Sequence, residues 1–163
     1  MNKGRILIIE DEAIVADDIF YCLQEAGYEV PLICSSGEEA LAALVKEPVD
    51  LALVDILLSG SMDGIETAKQ LRWNHQIPVI YLTSFTNESM IERAKLTTPT
   101  GYIVKPFKRR ELLATVEMAL YRRESASDDL NASIPPMSDK LILSAWSKYL
   151  HQSLLSAEKT AKL

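Results

Sequence analysis

Five short apolar runs, each rich in isoleucine, valine or leucine, recur along most of the chain. They lie at residues 5–9, 28–33, 50–54, 78–82 and 101–104. Runs that are apolar at nearly every position, rather than at alternate positions, are typical of strands covered on both faces of a sheet. The pattern therefore predicts five buried strands.

The segments between these runs carry apolar residues at helical spacing. The clearest examples are Ile14, Ile19, Leu23 and Ala26 in the first segment and Ala40, Leu41, Leu44 and Val45 in the second. Trp73 is assigned to packing and to no other role. Because strand and helix alternate, the pattern favours a parallel sheet joined by right-handed crossovers. We therefore predict an α/β fold with a doubly wound parallel sheet.

Capping signals support the positions of the predicted helices. Ser36 with Glu39, and Asp63 with Glu66, have the spacing of a capping box, which marks two helix starts. Gly27 stands where the first helix is expected to end. Capping accounts fully for Asp63, and no further role is assigned to it.

The chain divides into three predicted parts. Residues 1–123 form the α/β domain, residues 124–138 form a polar, proline-containing linker, and residues 139–163 form an amphipathic C-terminal helix. Three roles stay open for this helix: packing on its own domain, formation of a homodimer, or docking to another protein. It is too short for a winged-helix DNA reader, so we expect no direct binding of nucleic acid.

Composition and charge narrow the class of protein. The chain is 48% hydrophobic and carries a net charge of −6, which argues against a general binder of nucleic acid or anionic membranes. The first apolar run is too short for a signal peptide or a membrane span. Cys22 and Cys34 form no disulfide or metal-binding pattern. We therefore expect a cytoplasmic protein without a membrane segment.

Polar residues that directly follow the apolar runs are the candidates for chemistry, because ligands of open parallel sheets bind beyond the carboxyl ends of the strands. These residues are Glu10, Asp11, Glu12, Asp55, Thr83, Ser84, Lys105 and Pro106. Crowded carboxylates repel unless a cation neutralises them, and a cluster of oxygen ligands suits Mg²⁺. With a lysine and a hydroxyl nearby, the pattern indicates phosphoryl transfer to Asp55 and an aspartyl phosphate product.

Across residues 4–123 the chain resembles the receiver domains of two-component response regulators. The resemblance rests on four motifs in order: "LIIEDE", "LALVDILLSGSMDGIE", "YLTS" and "GYIVKPF". Thr83 lies 28 positions after Asp55, and Lys105 lies 22 positions after Thr83. The resemblance implies a flavodoxin-like (βα)5 sheet with strand order 2-1-3-4-5.

The resemblance also implies roles for individual residues of the Mg²⁺ and acceptor site. Asp55 would accept the phosphoryl group from a phosphohistidine on a sensor histidine kinase. Glu10, Asp11, Asp55 and the main-chain carbonyl of Leu57 would hold Mg²⁺. Lys105, followed by a cis bond to Pro106, would contact the phosphoryl group.

Further implied roles concern the response to phosphorylation. Thr83 would hydrogen-bond a phosphoryl oxygen with help from the backbone of Ser84. Tyr102 would be the switch aromatic that moves inward when Thr83 moves toward the phosphate. A downstream protein partner would bind the face formed by the fourth helix, the fifth strand and the fifth helix.

The sequence departs from the family pattern in two places. Glu10 stands where aspartate is more usual, and the loop after Asp55 lacks the usual proline and is one residue longer.

Two functions other than that of a phosphorylated receiver are alternatives. One alternative is a Mg²⁺-dependent phosphohydrolase with an aspartyl nucleophile. Such enzymes place a second aspartate two positions after the nucleophile, where this chain has Leu57. The other alternative is a receiver-like interaction module that never accepts phosphate.

Overall fold

The computed structural model describes residues 3–84 and 88–128 of the chain. Strands and helices alternate throughout these residues. In chain order they are β1 (Arg5–Ile9), α1 (Ala13–Glu25), β2 (Glu29–Cys34), α2 (Gly37–Ala43), β3 (Leu51–Asp55), α3 (Gly64–His75), β4 (Val79–Thr83), α4 (Glu88–Lys95), β5 (Gly101–Val104) and α5 (Arg109–Asp128).

All strand pairs are parallel, and the order across the sheet is β2-β1-β3-β4-β5. The predicted fold class and strand order are therefore confirmed. Three strands begin and end one residue later than predicted, so Asp55 and Thr83 are the last residues of β3 and β4. The reason is that the ladder continues past the apolar run: Asp55 is still paired with Leu82.

The sheet buries side chains on both of its faces. Leu7 and Val54 belong to the core that faces α2, α3 and α4, whereas Ile8 and Leu53 belong to the core that faces α1 and α5. Burial of one such side chain stabilises the fold by about 1.5–3 kcal/mol. Because neither face of the central strands meets water, their sequences are continuously apolar instead of alternating.

Two helices begin with the side-chain caps expected from the sequence. The Ser36 hydroxyl accepts a hydrogen bond from the Glu39 backbone N–H at 3.2 Å, while the Glu39 carboxylate accepts one from the Ser35 N–H at 2.8 Å. At the start of α3, the Asp63 carboxylate accepts from the Glu66 N–H at 2.8 Å. These bonds satisfy N–H groups that have no partner within the helix.

The end of helix α1 agrees with the prediction from the sequence, whereas the end of helix α2 does not. Gly27 follows α1 with a positive φ of 88°, as expected for a residue that ends a helix. After α3 the same left-handed conformation is adopted by Gln76, with φ 56°. Helix α2 ends at Ala43, so Leu44 and Val45 lie beyond it and Val45 is 81% exposed. Its assignment to the apolar stripe of that helix was wrong.

Two further residues assigned to packing lie on the surface. Ile14 is 82% exposed and Trp73 is 66% exposed. Ile14 precedes the buried Ile19 by five positions, which places it about 140° around the helix from that residue. Trp73 stands in the same relation to the buried Ala68. The helical phase therefore turns both side chains away from the sheet, although both are hydrophobic.

Helix α5 extends five residues further than predicted. It ends at Asp128, so residues 124–128 are helical although the linker was expected to begin there. The segment contains no proline or glycine, and the first proline after it is Pro135. The remainder of the predicted linker and the C-terminal helix at 139–163 lie outside the described residues. Among the described helices, none has the length and apolar character needed to cross a bilayer.

Candidate functional site

The register of the sheet brings the ends of β3, β4 and β5 to one edge. Asp55 is paired with Leu82, and the following residue, Thr83, is paired with Val104. The Lys105 N–H donates to the Thr83 carbonyl at 2.8 Å and so continues the ladder by one residue. Residues separated by up to 50 positions in sequence are thereby neighbours at the carboxyl edge of the sheet.

Strand β1 adds two carboxylates beside Asp55. Ile9 is paired with Val54, so the next residue on each strand, Glu10 and Asp55, lie side by side. One carboxylate oxygen from each of Glu10, Asp11 and Asp55 lies within 4.8 Å of the others. Glu10 is only 2% exposed and Asp55 only 5% exposed. The carboxyl edge therefore holds three acidic groups at close range, two of them buried.

Lys105 supplies the positive charge at this edge. Its Nζ lies 2.6 Å from Glu10 Oε2 and 2.8 Å from Asp55 Oδ2, with Glu12 Oε1 further away at 3.7 Å. Burial opposes its charge, but the hydrogen bonds to Asp55 and Glu10 outweigh burial and raise the pKa of Lys105. The bond between Lys105 and Pro106 is cis, as the family resemblance implied.

The carboxylates respond differently to this environment. Burial raises the pKa of Glu10 to about 7; its hydrogen bond to Lys105 acts in the opposite direction, and the charge of Asp55 adds to the rise. The pKa of Asp11 is lowered, chiefly by a hydrogen bond from the Ser59 hydroxyl. One ammonium group therefore does not fully compensate the negative charge that is buried at this edge.

The backbone after β3 holds Asp55 in place. The Leu57 N–H donates to Asp55 Oδ1 at 3.0 Å, and the Gly64 N–H donates to the Ile56 carbonyl at 3.2 Å. A Cβ on Gly64 would lie only 1.8 Å from the Asp55 carbonyl oxygen. Gly64 is thus required beside the acceptor candidate, a role that sequence analysis did not predict because Asp63 was explained by capping alone.

Ser59 is the second site residue that sequence analysis missed. Its N–H and its hydroxyl both donate to Asp11 Oδ2, at 3.1 and 2.5 Å. A serine in a loop of "SGS" type carries no spacing signal, and 48 positions separate it from Asp11. Only the folded loop brings the two together.

The other predicted site residues lie on β4 and β5 or shortly after β3 and β4. Thr83 is buried at the end of β4, whereas Ser84 is exposed and Leu57 is 47% exposed. Tyr102 is half-buried, with its ring centroid 5.7 Å from that of Tyr81. Burial raises the pKa of the Tyr102 hydroxyl. The roles assigned to these residues stay predictions.

The donor set at this edge fits Mg²⁺. All of the clustered ligand atoms are carboxylate oxygens, which a hard cation prefers, and Mg²⁺ is typically held by one or two carboxylates together with waters. A divalent ion would also relieve the repulsion between Glu10 and Asp55. Among the described residues, this is the group of acidic side chains close enough to share an ion.

A sequence profile described as "Response regulator receiver domain" matches residues 6–117. The chain belongs to this family. The matched range contains every candidate residue from Glu10 to Lys105, and the resemblance carried by the four motifs is confirmed. The carboxyl-edge cluster thus lies within the matched receiver domain.

Curated relatives of the receiver include two transcriptional regulators. The transcriptional regulatory protein PdtaR of Mycobacterium tuberculosis is 32% identical over 138 residues, which is 84% of this chain and 66% of PdtaR. The transcriptional regulatory protein ResD of Bacillus subtilis is 34% identical over 134 residues, covering 82% of this chain and 55% of ResD.

A solved structure confirms the fold independently. The signal receiver domain of a modulated diguanylate cyclase from Desulfovibrio desulfuricans is 35% identical, with a TM-score of 0.73. The alignment covers 76% of this chain and 98% of that domain. The likeness therefore extends over nearly a whole receiver domain.

The chain spans 66% or less of the length of the curated relatives described above. Other relatives include the DNA-binding response regulator MtrA of Mycobacterium leprae, at 33% identity over 122 residues. The expectation that this chain does not bind nucleic acid finds no support in these relatives, and it rested only on net charge and on the length of the tail.

Proposed function

We propose that this receiver accepts a phosphoryl group on Asp55 from a sensor histidine kinase, in a reaction that requires Mg²⁺, and then switches conformation to control a partner protein. The observation that carries the proposal is the buried pair Glu10 and Asp55 sharing one ammonium group, with Asp11 beside them. Strong charge imbalance in a buried cluster is typical of a functional site.

The proposed reaction is an in-line displacement at phosphorus. A carboxylate oxygen of Asp55 forms a bond to phosphorus while the bond from phosphorus to the histidine nitrogen breaks, and that nitrogen takes up a proton from solvent. When bound, Mg²⁺ supplies positive charge to the phosphoryl oxygens and to the carboxylates. The product is an aspartyl phosphate, a mixed anhydride.

Lys105 follows the negative charge during this transfer. Before the reaction its Nζ contacts Asp55 Oδ2 at 2.8 Å. Once Asp55 is phosphorylated, its carboxylate charge is lost and the phosphoryl oxygens become the better partner for the ammonium group. Thr83, which ends the neighbouring strand, donates its hydroxyl to a second phosphoryl oxygen, and the Ser84 backbone assists.

The switch rests on bonds that exist only in the phosphorylated state. Movement of Thr83 toward the phosphate makes room for Tyr102 to turn inward against Tyr81, whose ring is already 5.7 Å away. Phosphorylation thereby shifts a two-state equilibrium. The surface formed by α4, β5 and α5 then changes its affinity for the partner, and a protein of this kind meets its kinase in the cytoplasm.

The two alternatives have less support. A phosphohydrolase needs a general acid near the leaving group, and position 57 holds an exposed leucine. A module that never accepts phosphate has no need to bury Glu10 and Asp55 together. Receiver domains act as signalling switches, and self-phosphorylation is the catalysis proposed here.

Acetyl phosphate with Mg²⁺ tests the proposal. We expect an adduct of one phosphoryl group per chain, detected by intact-mass spectrometry, sensitive to hydroxylamine, and absent in Asp55→Asn. Continuous release of phosphate at many turnovers would favour the hydrolase, and absence of both adduct and turnover would favour the interaction module. Asp63→Asn is the matched control, because it alters an acid that caps a helix nearby.

A Thr83→Ala variant and a Tyr102→Ala variant test the switch separately. Both are expected to accept phosphate while partner binding loses its dependence on phosphorylation. If partner binding depends on phosphorylation to the same degree in the variants and in the unaltered protein, the proposed roles of Thr83 and Tyr102 in the switch are wrong.

A further inference from the structure

The loop between β3 and α3 reaches back to the acidic cluster through Ser59. Both the N–H and the hydroxyl of Ser59 donate to the same oxygen, Asp11 Oδ2, at 3.1 and 2.5 Å. The ammonium group of Lys105, in contrast, contacts Glu10 and Asp55. Two different side chains therefore contact the carboxylates of the cluster. Lys105 contacts the buried pair Glu10 and Asp55, and Ser59 donates hydrogen bonds to Asp11.

The second serine of the same loop contacts helix α2. The Ser61 hydroxyl donates to a carboxylate oxygen of Glu38 in the first turn of α2. Between the two serines, Gly60 has a φ of 140°, in the region that glycine adopts without strain. Ser61 therefore contacts α2 and not the acidic cluster, whereas Ser59 contacts Asp11.

Tying one oxygen of a carboxylate to two donors restricts how the side chain rotates. Asp11 is on the loop after β1 and is less buried than Glu10, so the strand alone does not determine where its carboxylate points. Because Oδ2 already accepts two hydrogen bonds from Ser59, Oδ1 would be the oxygen of Asp11 that binds a ligand. Mutation of a residue that hydrogen-bonds to a metal ligand and orients it typically lowers metal affinity by about 10–100-fold.

We propose that Ser59 is a positioning residue that holds the Asp11 carboxylate in its metal-binding orientation and thereby sets the Mg²⁺ affinity of this receiver. The inference rests on the Mg²⁺ part of the proposed function and adds to it a residue from the lengthened loop. The inference also assigns a function to the loop between β3 and α3, since Ser59 lies in the segment that departs from the family pattern.

The test is titration of the full chain with Mg²⁺ by calorimetry, with backbone amide shifts of Asp11 followed by NMR. Ser59→Ala keeps the backbone N–H but loses the hydroxyl, so we expect Mg²⁺ to bind about tenfold more weakly, at the lower end of the range for such residues. Ser59→Thr keeps a hydroxyl and is expected to restore most of the affinity.

Ser61→Ala is the matched control, since it removes a hydroxyl from the same loop without touching Asp11. Its Mg²⁺ affinity should stay within about twofold of the unaltered protein, because both bonds to Asp11 persist. Thermal unfolding without Mg²⁺ should be the same for Ser59→Ala and Ser61→Ala. A purely structural role for Ser59 would lower that unfolding temperature and leave the affinities alike.

Asp11→Asn separates failure of this inference from failure of the proposed function. If Asp11→Asn weakens Mg²⁺ binding and Ser59→Ala does not, the inference is overturned while the metal site stands. Tighter binding by Ser59→Ala would also overturn it, because Ser59 would then compete with the ion. If the unaltered protein does not bind Mg²⁺ at all, both the inference and the proposed metal site are wrong.

Discussion

At the amino edge of the sheet three carboxylates lie against two arginines, whereas at the carboxyl edge three clustered carboxylates have one lysine beside them. Arg5 contacts Glu29 at 3.5 Å and Glu47 at 2.7 Å, and its backbone N–H donates to Asp50 at 2.8 Å. Arg123, near the end of α5, contacts Asp50 at 2.8 Å. These side chains are between 28% and 49% exposed.

The carboxyl edge has similar residue types but a different balance. Glu10 and Asp55 contact Lys105, Asp11 lies beside them, and the side chains of Glu10 and Asp55 are 0% and 8% exposed. Exposed ion pairs contribute about 0–1 kcal/mol each, whereas a buried uncompensated charge costs several kcal/mol. The comparison teaches that ion pairs balance the carboxylates of the amino edge, whereas the carboxyl edge keeps a deficit of positive charge that a bound cation would compensate.

Removing the lysine from the carboxyl edge should have the largest effect. Without Mg²⁺, Lys105→Ala leaves Glu10 and Asp55 buried together, so we expect the free energy of unfolding to fall by about 3 kcal/mol. Phosphorylation by acetyl phosphate should slow by about 100-fold, because the ammonium group no longer stabilises the transferring oxygens. Denaturant unfolding and intact-mass time courses measure the two effects.

The control for this variant is Lys108→Ala, which removes an exposed lysine nearby. Mg²⁺ should restore part of the stability lost in Lys105→Ala and none in Lys108→Ala. If both variants behave like the unaltered protein, the electrostatic contrast between the two edges is not real.

Two glycine substitutions, one at each edge of the sheet, test whether the carboxyl edge is also the more tightly packed of the two. Gly64→Ala places a methyl group 1.8 Å from the Asp55 carbonyl oxygen, which forces the backbone of the site to move. We expect a loss of about 3 kcal/mol in stability and a strong loss of phosphorylation. Gly101→Ala, at the amino end of β5, meets a Thr115 methyl group at 3.1 Å and should be tolerated much better.

Thermal unfolding and phosphorylation yield compare the two glycine variants directly. Equal losses in both would show that the close approach of α3 to Asp55 is not a special requirement of the carboxyl edge.

The smallest effect is expected from the amino edge. Arg123→Ala removes the contact with Asp50, in which both side chains are more than 40% exposed. Stability should change by less than about 1 kcal/mol, decreasing further in high salt, and phosphorylation should be unchanged. A larger loss in denaturant unfolding would mean that the amino edge is more than a set of solvent-exposed pairs.

The apolar pattern predicted the parallel sheet and the convergence of the site residues, whereas the strand order was implied by the resemblance to receiver domains. Continuous apolar runs identify buried parallel strands, and parallel strands bring their carboxyl ends together, so Asp55, Thr83 and Lys105 could be placed at one edge before the structure was known. Exact strand ends could not be placed, because the hydrogen-bonded ladder includes the polar residues Asp55 and Thr83, which the apolar pattern leaves out.

Features that depend on loop conformation were beyond the sequence pattern. Ser59 meets Asp11 only because the loop folds back across the cluster, and the need for Gly64 appears only when the distance to the Asp55 carbonyl is known. The exposure of Ile14 and Trp73 was not predicted either, because hydrophobic character and an approximate helical spacing do not determine which face of a helix a residue occupies.

The central claim is that the carboxylate at position 55 accepts a phosphoryl group because a divalent cation neutralises its surroundings. Peptide mapping by mass spectrometry, after incubation with acetyl phosphate and with or without Mg²⁺, tests it most directly. The account predicts one phosphoryl group on the peptide that contains Asp55, with Mg²⁺ present and not without it. A phosphoryl group on another residue, or the same yield in the absence of Mg²⁺, would contradict the account.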